Sequence, residues 1–144
     1  DIIPNYAYTD ARVPKDLLSA EGSRAPNSAL HQGSLWTTYF FQEGVVQGFG
    51  AGIGMYAQGK RNGIFQCQDP ANCQAPFEMA GYVRMDAALY YRKQEVFNKT
   101  NLLAAINFTN VLDHRYFSGA QNFREIVYTG APFTAIGSLK FEFH

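Results

Sequence analysis

Apolar and polar positions alternate with a period of two along four stretches of the chain. The alternation is clearest from Gly48 to Gln58, where odd positions carry apolar side chains and most even positions carry glycine. The other three stretches run from Gly81 to Arg92, from Leu102 to Thr109 and from Phe133 to Phe143. Because successive side chains of a strand point to opposite faces of a sheet, the pattern predicts strands with one apolar face.

Two further segments show a fainter strand pattern. Tyrosines alternate with small residues from Asn5 to Val13, and the segment from Asn27 to Phe41 contains the β-prone run Leu35–Tyr39, although its pattern assigns it no face. The chain is therefore predicted to contain about six strands of roughly 10–14 residues, whereas strands of soluble proteins most often have about 5–6. A tilted strand that crosses a bilayer needs roughly 9–11 residues, so this length suits a membrane protein.

The predicted connections alternate between short and long. The short ones span residues 42–47 and 94–101, and the long ones run from Pro14 to Pro26, from Arg61 to Glu78 and from Ser118 to Ala131. A meander with short turns at one end and long loops at the other is typical of a transmembrane β-barrel. The predicted fold class is therefore all-β, an antiparallel transmembrane β-barrel fragment with its strands in up-and-down order.

Composition agrees with strands that have a large apolar face. Hydrophobic residues make up 47% of the 144 residues, and aromatic residues make up 15%. In a membrane barrel such a face contacts lipid, because the backbone is paired within the sheet and only side chains meet hydrocarbon. Four aromatic residues near predicted strand ends suit the girdles at the membrane interfaces: Trp36, Tyr39, Tyr91 and Tyr116. The alternative is a small stand-alone β-barrel or a soluble β-sandwich that acts as a binding module.

Charge and motif spacing disfavour other classes of function. Twelve basic and twelve acidic residues give a net charge of zero, which argues against nucleic-acid binding because phosphate affinity needs an excess of Lys and Arg. The basic pairs Lys60–Arg61 and Arg92–Lys93 are interpreted as ordinary surface. The run Asp113–Arg115 has no nucleophile beside it, and His31 and His144 offer no metal-ligand spacing, so no enzyme is expected.

Five segments carry motifs whose order is shared with one protein family. Three lie in predicted strands, where Y-x-Y-x-D/N-A is matched by Tyr6–Ala11, S-L-W-T-T-Y by Ser34–Tyr39 and G-Y-x-x-x-D-A-x by Gly81–Ala88. The fourth segment, Asn107–Tyr116, is similar to N-x-x-N-L-F-D-x-x-Y, and the fifth is Gly130–Phe133 with the Phe-ending strand after it. In these segments, which cover nearly the whole chain, the protein resembles TonB-dependent outer-membrane siderophore receptors, ferrichrome-type receptors especially.

The resemblance implies a role in a large membrane receptor. Members are 22-stranded barrels with an N-terminal plug domain, and they import ferric siderophores with energy delivered through TonB. Residues 1–144 are then expected to form the C-terminal portion of the barrel, with its last six strands and without the plug. The implied location is the outer membrane of a Gram-negative-type bacterium. The implied partners are the TonB complex (through the missing plug), outer-membrane lipid, the barrel-assembly machinery and a ferric siderophore. Two open edges also invite self-association of the isolated fragment.

The resemblance also orients the chain. The family ends on an aromatic residue, expected to be the signal for the barrel-assembly machinery, and Phe143 fits that role. His144 follows it and departs from the family pattern. With the C-terminus in the periplasm, the three long connections are expected to face the outside.

The outer loops supply the candidate binding residues. Aromatic rings with an arginine could hold an iron chelate by stacking and charge, and the alternative is that they only pack the loops. The candidates are Phe65, Gln66, Phe77, Phe123, Arg124 and Tyr128. Because the siderophore supplies the iron ligands, no cofactor or metal bound by protein side chains is expected.

Two cysteines lie within one predicted outer loop, at Cys67 and Cys73. In an oxidising compartment this spacing favours a disulfide that closes a small loop. A free pair of thiols is the alternative, and a metal site fits poorly because neither C-x-x-C spacing nor an adjacent histidine is present.

Overall fold

The computed structural model describes residues 1–15, 20–66, 77–97, 100–121 and 126–143. Ten strands lie in these ranges, and one short 3₁₀ turn, Gly44–Val46, joins two of them. The strands are β1 (Ile2–Tyr8), β2 (His31–Phe40), β3 (Phe49–Gln58), β4 (Arg61–Asn62), β5 (Glu78–Met79), β6 (Tyr82–Phe97), β7 (Thr100–Thr109), β8 (Phe117–Ala120), β9 (Val127–Thr129) and β10 (Thr134–Phe143).

The six long strands form one antiparallel sheet, the main sheet, in the order β1-β2-β3-β6-β7-β10. Each long strand pairs with the next long strand along the chain, so the predicted meander of about six long strands is confirmed. The sheet is open, with β1 and β10 at its two edges. Among the described residues, no helix is both long and apolar enough to span a membrane.

One face of the main sheet, the apolar face, carries the alternating hydrophobic side chains predicted from the sequence. The strand register aligns these side chains in rows, for example Thr37–Ile53–Ala87–Phe108–Ala135 across β2, β3, β6, β7 and β10. Nothing in the described chain covers this face, and large side chains such as Ile53 (54% exposed) and Leu139 (69% exposed) are open. The pairing also assigns β2 a face, since Leu35, Thr37 and Tyr39 lie in the apolar rows.

The opposite face, the mixed face, carries glycine, aromatic and charged residues. The alternating glycines of β3 leave no open space on this face, because the Trp36 ring lies over Gly52 and Gly54 and the Phe40 ring lies over Gly50. A Cβ atom at Gly52 would lie 2.6 Å from Cζ2 of Trp36. Trp36 therefore belongs to the mixed face, and the prediction that it forms part of a membrane-interface girdle was wrong.

Several predicted boundaries differ from the structure. The strand predicted from Asn5 to Val13 runs from Ile2 to Tyr8. Beyond it, strand pairing is reduced to an isolated backbone bridge between Arg12 and Arg24. The predicted turn at 94–101 is largely strand, because β6 continues to Phe97 through a register shift after Lys93. Two predicted long loops also contain small antiparallel pairs, β4 with β5 and β8 with β9.

The short and the long connections lie at opposite ends of the main sheet. At the short-turn end, Gly44 and Gly48 adopt left-handed backbone conformations (φ 78° and 88°) that turn the chain from β2 into β3. The opposite, long-loop end holds all three long connections. Most of the buried hydrophobic residues belong to these connections rather than to the main sheet: Val13, Ala29, Ile64, Met79 and Ala120. The packed part of the molecule therefore lies at the long-loop end.

Candidate functional site

Asn110 organises the long-loop end where β7 stops. Its side chain is fully buried, and its backbone is left-handed (φ 56°), a conformation that asparagine tolerates better than most residues. Its backbone N–H donates to Oδ1 of Asp86 (2.9 Å), and Nδ2 donates to the carbonyl oxygens of His114 and Ala131 (both 3.0 Å). Its Oδ1 accepts from the N–H of His114 (3.0 Å). One side chain thus ties the turn after β7 to the segment before β10.

Arg84 and Asp86 form an ion pair on the mixed face of β6. The Arg84 guanidinium donates through Nη2 and Nε to the Asp86 carboxylate, at 2.8 and 3.0 Å. Its Nη1 lies 3.5 Å from the hydroxyl of Tyr116, and its Cζ lies 5.9 Å from the ring centre of Tyr56. Farther along β6, the Arg92 guanidinium stacks 3.9 Å from the ring centre of Phe40.

Tyrosine rings continue from the Arg84–Asp86 ion pair toward the loops. Tyr82 stacks on Tyr116 with ring centres 4.1 Å apart and planes 22° apart, and Tyr56 lies 6.0 Å from Tyr82. The Arg61 guanidinium lies 5.7 Å from the ring centre of Tyr82. We call Tyr56, Arg61, Tyr82, Arg84 and Tyr116 the tyrosine–arginine cluster. Tyr116 thus stacks on another protein ring on the mixed face, which contradicts its predicted place in a girdle.

Arg61 is the least expected member of the cluster. The sequence suggested ordinary surface, yet Arg61 is only 3% exposed. Its Nη2 and Nη1 donate to the carbonyl oxygens of Phe117 (2.6 Å) and Ser118 (2.8 Å), while its Nε has no partner within the described chain. Arg61 therefore joins β4, in the second long connection, to β8, in the third.

Asn27 makes the matching link from the first long connection. Its backbone is left-handed (φ 60°) and its N–H donates to the carbonyl oxygen of Asn62 (2.8 Å). Its side-chain amide exchanges two hydrogen bonds with the backbone of Ala120, both 2.8 Å long. With Arg61, it holds the bases of all three long connections together over one end of the sheet.

Two charged residues of the connections, Asp113 and Arg12, form hydrogen bonds with the loop backbone. The carboxylate of Asp113 accepts from the N–H of Phe133 (2.9 Å), so Asp113 orders a turn. Arg12 donates to the Asp10 carboxylate (2.8 and 3.1 Å) and to the carbonyl oxygen of Gly22 (2.9 Å). The hydrogen bond that Arg12 donates to Asp10, together with the negative charge of that carboxylate, raises the pKa of Arg12 above its ordinary value.

The structure places four of the predicted ligand-binding residues and leaves their role a prediction. Phe65 (38% exposed) and Gln66 lie beyond β4, and the half-buried ring of Phe77 packs over Gly63. Tyr128 is 50% exposed in the β8–β9 pair, where its hydroxyl donates to the Gln121 side chain (2.7 Å). Tyr128 thus belongs to a different hairpin from the other three.

The remaining predicted residues divide between the last strand and undescribed segments. Phe143 ends β10, pairs with Thr100 and is 80% exposed on the apolar face. The undescribed residues are Phe123, Arg124, Cys67, Cys73 and His144. Within the described ranges, no group of His, Cys, Asp and Glu side chains could hold a metal ion. The described residues can therefore support loops and present aromatic and charged surface.

Comparison with known proteins identifies the family. A family model described as "TonB dependent receptor-like, beta-barrel" matches residues 1–111. The chain belongs to this family. Its members are outer-membrane β-barrel proteins of Gram-negative bacteria and are transporters rather than enzymes, which confirms the expectation that the chain is no enzyme.

Curated relatives and a solved structure agree with this assignment. The metal-pseudopaline receptor CntO of Pseudomonas aeruginosa is 33% identical over 121 residues, 84% of this chain and 15% of that protein. The ferrioxamine B receptor of Salmonella typhimurium is 28% identical over 139 residues, 96% of this chain and 18% of that protein. The ferric-catecholate import receptor Fiu of Escherichia coli K12 has the same fold, with a TM-score of 0.68 at 24% identity over 96% of this chain and 18% of that one. The chain thus spans less than a fifth of the length of these proteins.

Proposed function

We propose that this chain is part of an outer-membrane receptor that imports ferric siderophores by TonB-coupled active transport. The observation that carries the proposal is the uncovered apolar face, which continues across six paired strands while the opposite face is mixed. Such a sheet suits a bilayer, since every interior strand has its backbone paired and offers mainly apolar side chains to hydrocarbon. Family membership supports the same conclusion.

In this proposal the apolar face contacts outer-membrane lipid and the mixed face lines the barrel interior. The long-loop end faces the outside, and the short-turn end faces the periplasm. The tyrosine–arginine cluster, with Asn27 and Asn110, then holds the bases of three outer loops above the interior. Ligand recognition is proposed for the loop residues Phe65, Gln66, Phe77, Phe123, Arg124 and Tyr128, with a Cys67–Cys73 disulfide that stiffens the second loop. Binding residues commonly lie on loops positioned by a rigid scaffold, which supports this division of roles.

The remaining partners follow from the same proposal. The TonB complex acts through the plug domain of the receptor, and Phe143 serves as the signal for the barrel-assembly machinery. The siderophore supplies the ligands to iron, so no cofactor is held by protein side chains. The relative named a metal-pseudopaline receptor favours a second candidate cargo, a complex of pseudopaline with a metal.

The test is uptake by a deletion strain that lacks the receptor containing this chain. The strain is grown under iron limitation with a panel of ferric hydroxamates, ferric catecholates and metal–pseudopaline complexes, with and without TonB. The proposal is supported by a cargo that the deletion strain cannot use and that a strain with the receptor but without TonB cannot use either. Recovery of the parent protein as a soluble monomer, or unchanged uptake of every cargo, would overturn it.

A further inference from the structure

An open cavity of about 440 Å³ lies between the first long connection, which joins β1 to β2, and the second. The two connections are hydrogen-bonded beside it, because the N–H of Ala20 donates to the carbonyl oxygen of Gln66 (2.6 Å). We call this space the arginine cavity. Most of its lining residues are polar, and those that matter here are Arg12, Glu21, Ser23, Arg24, Asn62 and Gln66.

The isolated bridge of the first connection places two arginines opposite each other. Arg12 and Arg24 are the bridge partners, and the residues on either side of them exchange backbone hydrogen bonds of 2.8 and 3.0 Å. A pair flanked by hydrogen bonds in this way is the non-hydrogen-bonded type, in which the Cα atoms are about 4.5 Å apart and the side chains are closest. Like charges directly opposite each other destabilise such a pair. The bridge therefore favours a negative group near its two guanidinium ions.

One of the two positive charges is offset within the chain, and the other is not. Arg12 gives three of its five N–H groups to the Asp10 carboxylate and to the carbonyl oxygen of Gly22, so its guanidinium is held in place with two donors left. Arg24 is half-buried and has no ion-pair partner within the described ranges. Glu21 also lines the cavity but is exposed, and the lining side chains together carry two positive charges and one negative charge.

A buried hydroxyl group in the same lining needs an acceptor. Ser23 is 8% exposed, and its Oγ has no hydrogen-bond partner within the described chain. Burying a hydroxyl group without a partner costs free energy. An oxyanion meets both needs, because its oxygens accept hydrogen bonds from guanidinium and hydroxyl groups and its charge offsets that of Arg24.

We propose that the arginine cavity binds a small oxyanion, a phosphate, sulfate or carboxylate group, between Arg12 and Arg24, with the Ser23 hydroxyl as a further donor. The bound anion strengthens the link between the first and second long connections, because Asn62 and Gln66 of the second also line the cavity. The inference goes beyond the proposed function and does not depend on it. The oxyanion reaches the cavity either as a free ion or as part of an iron chelate, and the experiment separates these two sources.

The experiment is hydrogen exchange of the intact receptor in detergent, with inorganic phosphate added at constant ionic strength. The amides of Val13 and Ala25 donate the hydrogen bonds that flank the bridge, so their exchange requires the two arginines to separate. If phosphate binds only the closed bridge, their exchange slows by a factor of one plus the ratio of phosphate concentration to Kd, about tenfold at ten times Kd. Peptides from β3 should not respond.

Three variants test the assignment of residues. Arg24→Gln should bind phosphate at least about tenfold more weakly, and Ser23→Ala about fivefold more weakly. Lys60→Gln is the matched control, because it also removes a positive charge at the long-loop end but Lys60 pairs with Glu78 and does not line the cavity. Without phosphate, the bridge amides of Arg24→Gln should exchange no faster than those of the wild type, because the substitution removes the repulsion between the arginines. A merely structural role of Arg24 would instead speed their exchange.

The outcomes are distinct from those of the uptake test. No response of the wild-type bridge amides to phosphate, or wild-type phosphate affinity in Arg24→Gln or Ser23→Ala, would overturn the site. If Arg24→Gln does not fold, Arg24→Lys replaces it, and we expect phosphate affinity between that of the wild type and that of the control without phosphate. A repeat with ferric citrate, a chelate that carries carboxylates, separates the sources: slowing of the same amides supports a chelate-borne group, and slowing by phosphate alone supports a free ion. Failure of cargo uptake would overturn the proposed function and leave the oxyanion site standing.

Discussion

Replacing Asn110 by alanine is expected to release the turn after β7 from the segment that enters β10. The substitution removes three hydrogen bonds of a fully buried side chain, two donated to His114 and Ala131 and one accepted from His114. Each is worth about 1 kcal/mol net. Holding alanine at a left-handed φ of 56° costs about 1 kcal/mol more. The free energy of local opening should therefore fall by about 4 kcal/mol.

Hydrogen exchange in the intact receptor measures this loss directly. Peptides that cover residues 110–117 and 127–133 contain the amides of His114 and Phe133, which are bonded to the Asn110 and Asp113 side chains. Their exchange should become faster by about two to three orders of magnitude in Asn110→Ala. Peptides from β3 serve as the internal control, because none of the Asn110 hydrogen bonds goes to β3 and its exchange should not change.

A second substitution separates the loss of the hydrogen bonds from the strain of the left-handed backbone. Asn110→Gly loses the same hydrogen bonds but tolerates the left-handed backbone, so its exchange should be about fivefold slower than that of Asn110→Ala. Exchange in Asn110→Ala within about threefold of wild type would refute the reasoning, since it would mean that the buried amide contributes almost nothing.

Three further outcomes follow from the contacts of the described residues and from one undescribed loop. Gly52→Ala should destabilise the barrel by about 1–3 kcal/mol, because the new methyl group meets the Trp36 ring. Gly137→Ala is the control and should be neutral, because its methyl group points into open space. Heat-modified electrophoresis compares the two variants. Arg61→Met should speed proteolysis of the β8–β9 pair at least about tenfold by releasing two carbonyl groups, and unchanged cleavage would count against that link. Cys67 and Cys73 should react with maleimide only after reduction, and labelling without reductant would exclude the proposed disulfide.

The faces of the strands were predictable because they depend on the hydrophobicity of each residue, which can be read directly from the sequence. A two-residue period of hydrophobicity assigned every apolar row of β3, β6, β7 and β10, and pairing only had to align them. The boundaries were less predictable. Tyr8 ends β1 although alternation continues to Val13, because the chain leaves the sheet there to enter the first long connection.

The candidate site was less predictable still, because its members come from separate connections. Asn110 and Tyr116 could be found through their motif, but no local pattern marks Asn27 or Arg61 as partners of the third long connection. The glycines of β3 show the same limit. Their alternation leaves a strip of β3 without side chains on the mixed face, and only the register opposite β2 shows that Trp36 and Phe40 lie over it.

These differences have one physical origin. On the apolar face, side chains meet a uniform environment, so the type of residue is enough to predict its place. At the long-loop end, a buried guanidinium such as Arg61 is tolerable only if specific carbonyl groups accept its hydrogen bonds, and those carbonyls lie 56 and 57 residues away along the chain. Burial of such a group cannot follow from its neighbours in sequence. It follows from the fold that brings β4 under β8, and the same dependence makes Arg61 a sensitive reporter of whether the three loops are correctly assembled.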